Sequence, residues 1–316
     1  MANEVCETTK GICSTEHSSC FFARLDLLGF TKKVKQNTFD ELKRIVENFS
    51  LNSIKAIDKS RSIVTNNGNV YSRGKLKSSV DVQIVSDSIH VWTRKANDLK
   101  QFDCLVQIVN SLLAYGLKQG LPLRGVVTFG ELFSGETKVP EGVPVDFSFD
   151  NSSLYGRALV EAYEWEPRMN WSGAILTPRA WAKVKKEFER GLASGVKGVM
   201  LTEAIKRPED LFNHYPYFVW YDIPFKSSKE DGIVYKQPAI AFNWNYRSGL
   251  DLSEDEIRKG FLDPSGNIDV KVAVKLRETV DFYRYTNPFA GPCDMKIVEA
   301  LQVPASDYVL MDVNDN

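Results

Sequence analysis

Two aspartates are the first residues whose surroundings suggest chemistry. Asp26 closes the apolar run Phe21-Phe22-Ala23-Arg24-Leu25 and is followed at once by Leu27-Leu28-Gly29-Phe30-Thr31. Asp87 lies in Val85-Ser86-Asp87-Ser88-Ile89, a polar break between two Val- and Ile-rich runs. Two carboxylates brought together repel, and a shared hard cation, Mg²⁺ or Mn²⁺, relieves the repulsion. A metal pair so held can polarise a phosphate, activate a hydroxyl and neutralise a leaving pyrophosphate. Gly29 lets the backbone approach a ligand, and the amides of Leu28, Gly29 and Phe30, entering a helix, can cradle terminal phosphates. Taken singly, Asp87 reads equally as a turn residue and Asp26 as a strand end on a wet face. Their joint placement is what points to chemistry.

That placement depends on the elements around them. Phe21, Ala23, Leu25 and Leu27 fall on one strand face and Phe22, Arg24 and Asp26 on the other. A helix follows from about Thr38, with Phe39, Leu42, Val46 and Phe49 at helical spacing, then a loop marked by Asn66–Asn69 and Ser72–Lys75. Val80 to Arg94 reads as two short strands broken near Ser86-Asp87-Ser88. Leu99, Phe102, Val106, Val109 and Leu113 mark a second amphipathic helix, and Leu123 to Phe133 a further strand. Gly135 to Asn151 reads as a loop, Tyr155 to Glu166 as a helix stopped by Pro167, Ser172 to Thr177 as a strand, and Pro178 as a helix start. The order β-α-β-β-α-β-α-β-α is the ferredoxin-like, split-βαβ order with an added tail, an α+β fold. In such a fold the first strand and the hairpin carrying Asp87 are spatial neighbours.

The pattern then continues without a Ser/Gly/Pro-rich hinge. Tyr217 to Ile223 and Pro238 to Trp244 read as strands, and Asp269 to Tyr285 as a helix. The expected organisation is a mobile lead-in over 1–19, a core over 20–195, an α/β extension over 196–310 packed on that core, and a frayed acidic tail over 311–316. No internal repeat is visible.

Composition narrows the field. The chain has 316 residues, 43% hydrophobic and 26% charged, and 40 Lys+Arg against 41 Asp+Glu leave a net charge of −1. This is ordinary globular composition and excludes a disordered chain, a collagen-like repeat and a basic nucleic-acid coat. No run of 18 apolar residues suggests a membrane span, and the polar N-terminus lacks the features of a signal peptide. Five cysteines, an odd and sparse count, suit a reducing cytoplasm. Cys6, Cys13 and Cys20 recur every seven residues without a paired-ligand motif, which makes zinc a poor reading.

Leu25-Asp26-Leu27-Leu28-Gly29-Phe30-Thr31 resembles the first-strand Asp-x-x-Gly-Phe signature of class III nucleotide cyclases. Ser86-Asp87 is similar to their hairpin Gly-Asp, with Ser for Gly. Arg124-Gly125-Val126-Val127-Thr128-Phe129-Gly130-Glu131 resembles the strand that comes after it, and Tyr155-Gly156-Arg157-Ala158 the start of the next helix. The likeness spans roughly Phe21 to Thr177. It implies that Asp26 and Asp87 hold two metal ions, Mn²⁺ or Mg²⁺, with the Leu27 carbonyl as an additional ligand. It also implies a homodimer with its sites between the chains.

The departures from that pattern are informative. Gln83 and Ser153 stand at the base-reading positions, where purine cyclases carry Lys or Glu and Asp or Cys. Val160 and Glu164 stand where the ribose-positioning Asn and phosphate-binding Arg belong, and neither can do those jobs. Gly156-Arg-Ala-Leu-Val-Glu-Ala-Tyr-Glu-Trp-Glu166, together with Arg124-Gly125 and Gly130-Glu131, resembles the pyrimidine cyclases of bacterial Pycsar antiphage systems. The resemblance implies UTP converted to cyclic UMP, or CTP to cyclic CMP, as a messenger for a partner effector. Gln83 and Ser153 both donate and accept hydrogen bonds, so either pyrimidine edge is served. Arg124, Arg157 and Lys197, in that order, are the candidate cations for the triphosphate.

Competing readings remain. A diguanylate cyclase shares the core order, but Val85-Ser86-Asp87-Ser88-Ile89 lacks its Gly-Gly-acidic hairpin. A degenerate cyclase fold that binds a nucleotide or a partner without turnover is kept open by the missing Asn and Arg. An RNA-binding module is disfavoured because the central strands lack paired aromatics beside a basic stripe.

Overall fold

The computed structural model describes residues 16–60, 80–136, 152–193, 217–226, 234–246, 252–263 and 266–287. The expected loop around 66–75, most of the Gly135–Asn151 loop, Lys197 and the 311–316 tail lie outside them.

Alternation builds the first strand, β1 (Glu16–Leu27). It starts within the stretch expected to be a lead-in, because β4 (Leu123–Glu136) is long enough to pair with it from Glu16↔Ser134 to Leu27↔Leu123. Two helices come next, α1 (Phe30–Gln36) and α2 (Phe39–Ser60). The break at Ser86-Asp87 divides β2 (Val80–Val85) from β3 (Ser88–Thr93). Then comes α3 (Leu99–Lys118), whose first amides at Lys100 and Gln101 are accepted by the Asp98 carboxylate.

β1 lies between β3 and β4, antiparallel to both, and β2 flanks β3. The run β2-β3-β1-β4 is the split-βαβ arrangement. Phe21, on the apolar face of β1, meets Phe102 of α3 with ring centroids 4.5 Å apart. Gly125 of β4 is required by this packing, since a Cβ there would lie 2.8 Å from the Arg24 carbonyl oxygen.

Beyond β4 the structure departs from the expected helix at Tyr155. Ser152–Tyr155 is a short strand, β5, paired with the far end of β4, and only after Gly156 does α4 (Arg157–Trp165) begin. A 3₁₀ turn (Glu166–Arg168) succeeds it, then β6 (Gly173–Leu176) and α5 (Pro178–Ala193). β6 runs parallel to β4.

The C-terminal part continues the same sheet. β7 (Phe218–Lys226) and β8 (Val234–Phe242) pair with each other, and β8 pairs with β6 through Ala241 and Ile240. Pro238 sits inside β8, which therefore starts four residues earlier than expected. β6 reaches only Ile240 and Ala241, so the missing N–H of Pro238 breaks no bond to that neighbour. Two helices complete the described fold, α6 (Glu254–Lys259) and α7 (Val270–Thr286). Phe282 of α7 packs edge-on to Trp171 at 4.5 Å and to Tyr221 at 4.9 Å, fixing α7 over the end of the sheet nearest Asp26. The fold is a mixed α+β architecture around one eight-stranded sheet.

Candidate functional site

The period of two in β1 puts Arg24 and Asp26 on the face opposite the apolar one. Register then assembles their neighbours. Asp26 is opposite Ser88 on one side and Arg124 on the other, and Arg24 is opposite His90. His90 is in turn opposite Gln83. One face of three adjacent strands thus carries Arg24, Asp26, Ser88, His90 and Arg124, with Gln83 on the next strand out.

Asp26 Oδ1 accepts from the Ser88 hydroxyl at 2.9 Å and from Arg24 Nη2 at 3.2 Å. Its Oδ2 has the Arg124 Nη2 group at 3.9 Å. Behind it lies Glu166, only 2% exposed, brought in by the 3₁₀ turn after α4. Glu166 takes a charge-assisted bond from Arg24 through one oxygen and from Arg124 through the other. Arg24 also lies over the Tyr163 ring of α4, 4.2 Å from its centroid.

Two carboxylates and two guanidiniums therefore share one cluster, largely buried, with the Asp26 side chain its most exposed member at 19%. Burial and then the charge of Glu166 push the Asp26 carboxyl above its ordinary range, against the opposing pull of Arg24 and the Ser88 bond. A carboxylate in that state gains from any cation able to reach its open oxygen.

Asp87 occupies the two-residue turn between β2 and β3. Its carbonyl accepts the Leu27 N–H at 3.0 Å, which ties the turn to the end of β1. Its charge adds to the upward push on Asp26. Ser86, ahead of it, adopts φ 55, a left-handed conformation that glycine takes without strain and that costs a serine about 1–2 kcal/mol.

The fit to a divalent ion can be judged from these donors. Among the described residues no group of three or more His, Cys, Asp or Glu side chains could hold a metal ion. Two carboxylates with a nearby backbone carbonyl, the remaining positions filled by water and phosphate, is the donor set Mg²⁺ accepts. Asp26 and Asp87 offer the carboxylates for such a set, with Asp26 Oδ1 already engaged by Ser88 and Arg24.

Several expected phosphate ligands turn out to be occupied or distant. The Leu28 amide donates to the Pro122 carbonyl at 2.9 Å, which leaves Gly29 and Phe30 from the expected cradle. Gly29 is there for its conformation rather than for close approach. It takes φ 78 ahead of α1, and a Cβ on it would meet nothing within 4 Å. Arg124 spends Nε on Glu166 and Nη1 on the Met169 carbonyl at 3.0 Å, so it braces the carboxylates instead of facing an open phosphate site.

Arg157 is exposed at the start of α4, and Ser153 pairs with Gly135. That is 11 residues along β4 from Arg124, about 35 Å of strand path at ~3.3 Å per residue. One chain cannot bring Ser153 to Asp26.

Arg24, Ser88, Glu166 and two lysines, Lys226 and Lys275, were not singled out from the sequence. Arg24 was legible, two residues before Asp26 on the same face. Lys226 donates to the Pro167 carbonyl at 2.7 Å, and burial, with repulsion from Arg124 and Lys275, lowers its ammonium to about 8. His90 is buried against Phe22 with both ring nitrogens unpartnered, and burial, then Arg24, pulls it down to about 4. Among the described residues no helix is long and apolar enough to cross a membrane.

No protein-family model matches the chain, and no curated protein matches it. Among solved structures it is similar to the adenylyl cyclase CyaB from P. aeruginosa, with 12% identity and a TM-score of 0.41, covering 72% of this chain and 96% of that one. It is also similar to the guanylyl cyclase Cya2, at 11% identity and TM-score 0.39, covering 72% and 92%. A third is the catalytic core of a rhodopsin-guanylyl cyclase with converted specificity in complex with ATPαS, at 11% and 0.42, covering 73% and 99%. The chemistry open to this chain is set by its own residues and their placement.

Proposed function

We propose that the protein is a pyrimidine nucleotide cyclase that converts UTP to 3′,5′-cyclic UMP and pyrophosphate, with CTP as the alternative substrate. The observation that carries this reading is the juncture of β1 and the β2–β3 turn. There Asp26 and Asp87 sit on adjacent segments tied by the bond from the Leu27 N–H to the Asp87 carbonyl. In this reading Asp26, Asp87 and the Leu27 carbonyl hold two divalent ions, Mn²⁺ or Mg²⁺. Bound there, such ions supply positive charge to the α-phosphate and to the leaving pyrophosphate.

The chain's own residues then position and exchange a proton. The ribose 3′-oxygen attacks the α-phosphorus, one O–P bond forms, and the bond to the bridging oxygen of pyrophosphate breaks. The 3′-proton passes to Asp26 or to solvent, and divalent ions held at Asp26 would lower its carboxyl. Ser88 and Arg24 fix the orientation of that carboxylate, and Glu166 fixes Arg24. The Gly29 and Phe30 amides face the terminal phosphates.

Gln83 and Ser153 read the base. The distance of Ser153 from Asp26 within one chain supports a head-to-tail homodimer, in which one subunit's carboxylates meet its partner's Ser153. The product would serve as a second messenger for a cyclic-nucleotide-activated effector in antiphage defence, in the cytoplasm and without nucleic acid or membrane.

The second reading, a cyclase fold that binds nucleotide or a partner without turnover, draws on the engagement of Asp26 by Arg24. One assay separates them: purified protein with Mn²⁺ and each of the four ribonucleoside triphosphates, products resolved by chromatography. Cyclic UMP or cyclic CMP is expected. Cyclic AMP or GMP as main product overturns the pyrimidine assignment, and no cyclic product from any of the four overturns the cyclase.

A further inference from the structure

A cavity of about 270 Å³ opens beside Gly29, between α1 and the C-terminal helix α7. Lys33 of α1 and Lys275 of α7 both line it, together with Pro122, Phe261 and Asp263. Both lysines are half-buried, and neither ammonium has a hydrogen-bond or ion-pair partner among the described residues. Among the described residues Asp263 is the one acid on the wall, and its carboxylate accepts the Asn267 backbone N–H at 2.9 Å.

We infer that this cavity receives the triphosphate tail of the substrate, with Lys33 and Lys275 as its cations. The inference rests on the cyclase reading and gives that site the positive charge which Arg124 and Arg157 do not supply. A half-buried ammonium with no partner is costly, and an anion seated between two of them removes the cost. Burial lowers the ammonium of each. For Lys275 the lowering is reinforced by Arg124 and opposed by Glu166, Asp269 and Asp26.

Size agrees with a part of the substrate rather than the whole. Drug-sized ligands occupy roughly 300–1,000 Å³, so a cavity of about 270 Å³ suits a polyphosphate whose nucleoside lies outside it. Apolar neighbours, Phe261 among them, lower the local dielectric and strengthen each lysine–phosphate contact. Lys275 belongs to the C-terminal extension. The same chain that carries the carboxylates would thus supply a phosphate cation, and the helix packed on Trp171 and Tyr221 acquires a role besides covering the sheet.

The test is titration calorimetry of the full chain with inorganic tripolyphosphate, without divalent metal. Lys275→Gln and Lys33→Gln should each weaken binding about tenfold or more, roughly the worth of one charge-assisted contact. Lys275→Arg should stay within about threefold of the parent. Lys271→Gln, exposed on the same helix, should bind as the parent does.

Unchanged affinity in both Gln variants overturns the inference. Should Lys275→Gln fail to fold, the unaltered protein answers: tripolyphosphate should protect Lys33 and Lys275 from acetylation, read by mass spectrometry. Equal labelling with and without it overturns the inference. Cyclic product with unaltered KM and tripolyphosphate affinity in both variants sinks the cavity and leaves the cyclase. Loss of tripolyphosphate binding in a protein that cyclises nothing does the reverse.

Discussion

The two faces of β1 are built to opposite rules. Phe21, Ala23, Leu25 and Leu27 lie within the apolar core under α3, and nothing about them is specific beyond shape. One residue out of step, Phe22, Arg24 and Asp26 face α4, and there two guanidiniums and two carboxylates are confined with little water. Apolar burial stabilises by roughly 25 cal/mol per Å² and makes few geometric demands. A buried ion cluster contributes little net stability, and it fixes the direction of every member. The charged face is therefore where the fold gives up stability to hold one carboxylate, Asp26, in one orientation.

The sharpest way to test that contrast is Asp26→Asn. Loss of at least ~100-fold in cyclic nucleotide formation is expected, on the scale of removing one preorganised electrostatic group. Thermal melting should be close to or above the parent. The folded-state carboxyl is raised, so ionised Asp26 costs stability at neutral pH and the neutral amide relieves it. Retained turnover would break the assignment of Asp26.

Next in size is Glu166→Gln. Among the described residues it leaves Arg24 and Arg124 buried with Asp26 as their only ion-pair partner, and should lower unfolding stability by about 3–5 kcal/mol. A loss below ~1 kcal/mol in urea titration would show that the cluster is wetter than its burial implies. On the other face, Leu25→Ala should cost about 2–5 kcal/mol while leaving kcat of the folded fraction unchanged. A fall in kcat there would mean that the faces are coupled.

What the sequence disclosed obeys the same division. The apolar face of β1, the hairpin around Asp87 and the stripe of α3 are local patterns with periods of two or 3.6, and all are visible in a few residues. The capping box of α6, Ser253 with Glu256, was also there to be read. β5 was not, because four residues carry little periodicity and only the turn at Gly156, φ 144, separates them from α4. The pairing of Arg24 with Glu166 joins residues 142 apart, and no spacing rule connects them. The meeting of Lys275 with Lys33 at one cavity depends on how α7 docks, again a tertiary fact. The residue types that do chemistry were legible, and the residues that aim them were not.

The smallest expected effect separates the faces by pH. His90 is 5% exposed, opposite Arg24, with its ring centroid 5.5 Å from that of Phe22 and both nitrogens without a partner. Its folded-state value is about 4 against an ordinary 6.5, so the unfolded chain takes up the proton first as pH falls. Stability held by neutral His90 is complete above about pH 6.5 and is lost progressively toward pH 4, up to ~3 kcal/mol for a shift of that size. His90→Phe keeps the ring contact and removes the titration. Urea midpoints measured at pH 7 and pH 5 should therefore converge in the variant relative to the parent. The Leu25→Ala protein, altered on the apolar face, should keep the parent's full pH slope. An unchanged slope in His90→Phe would place the acid sensitivity elsewhere and remove His90 from the account of the charged face.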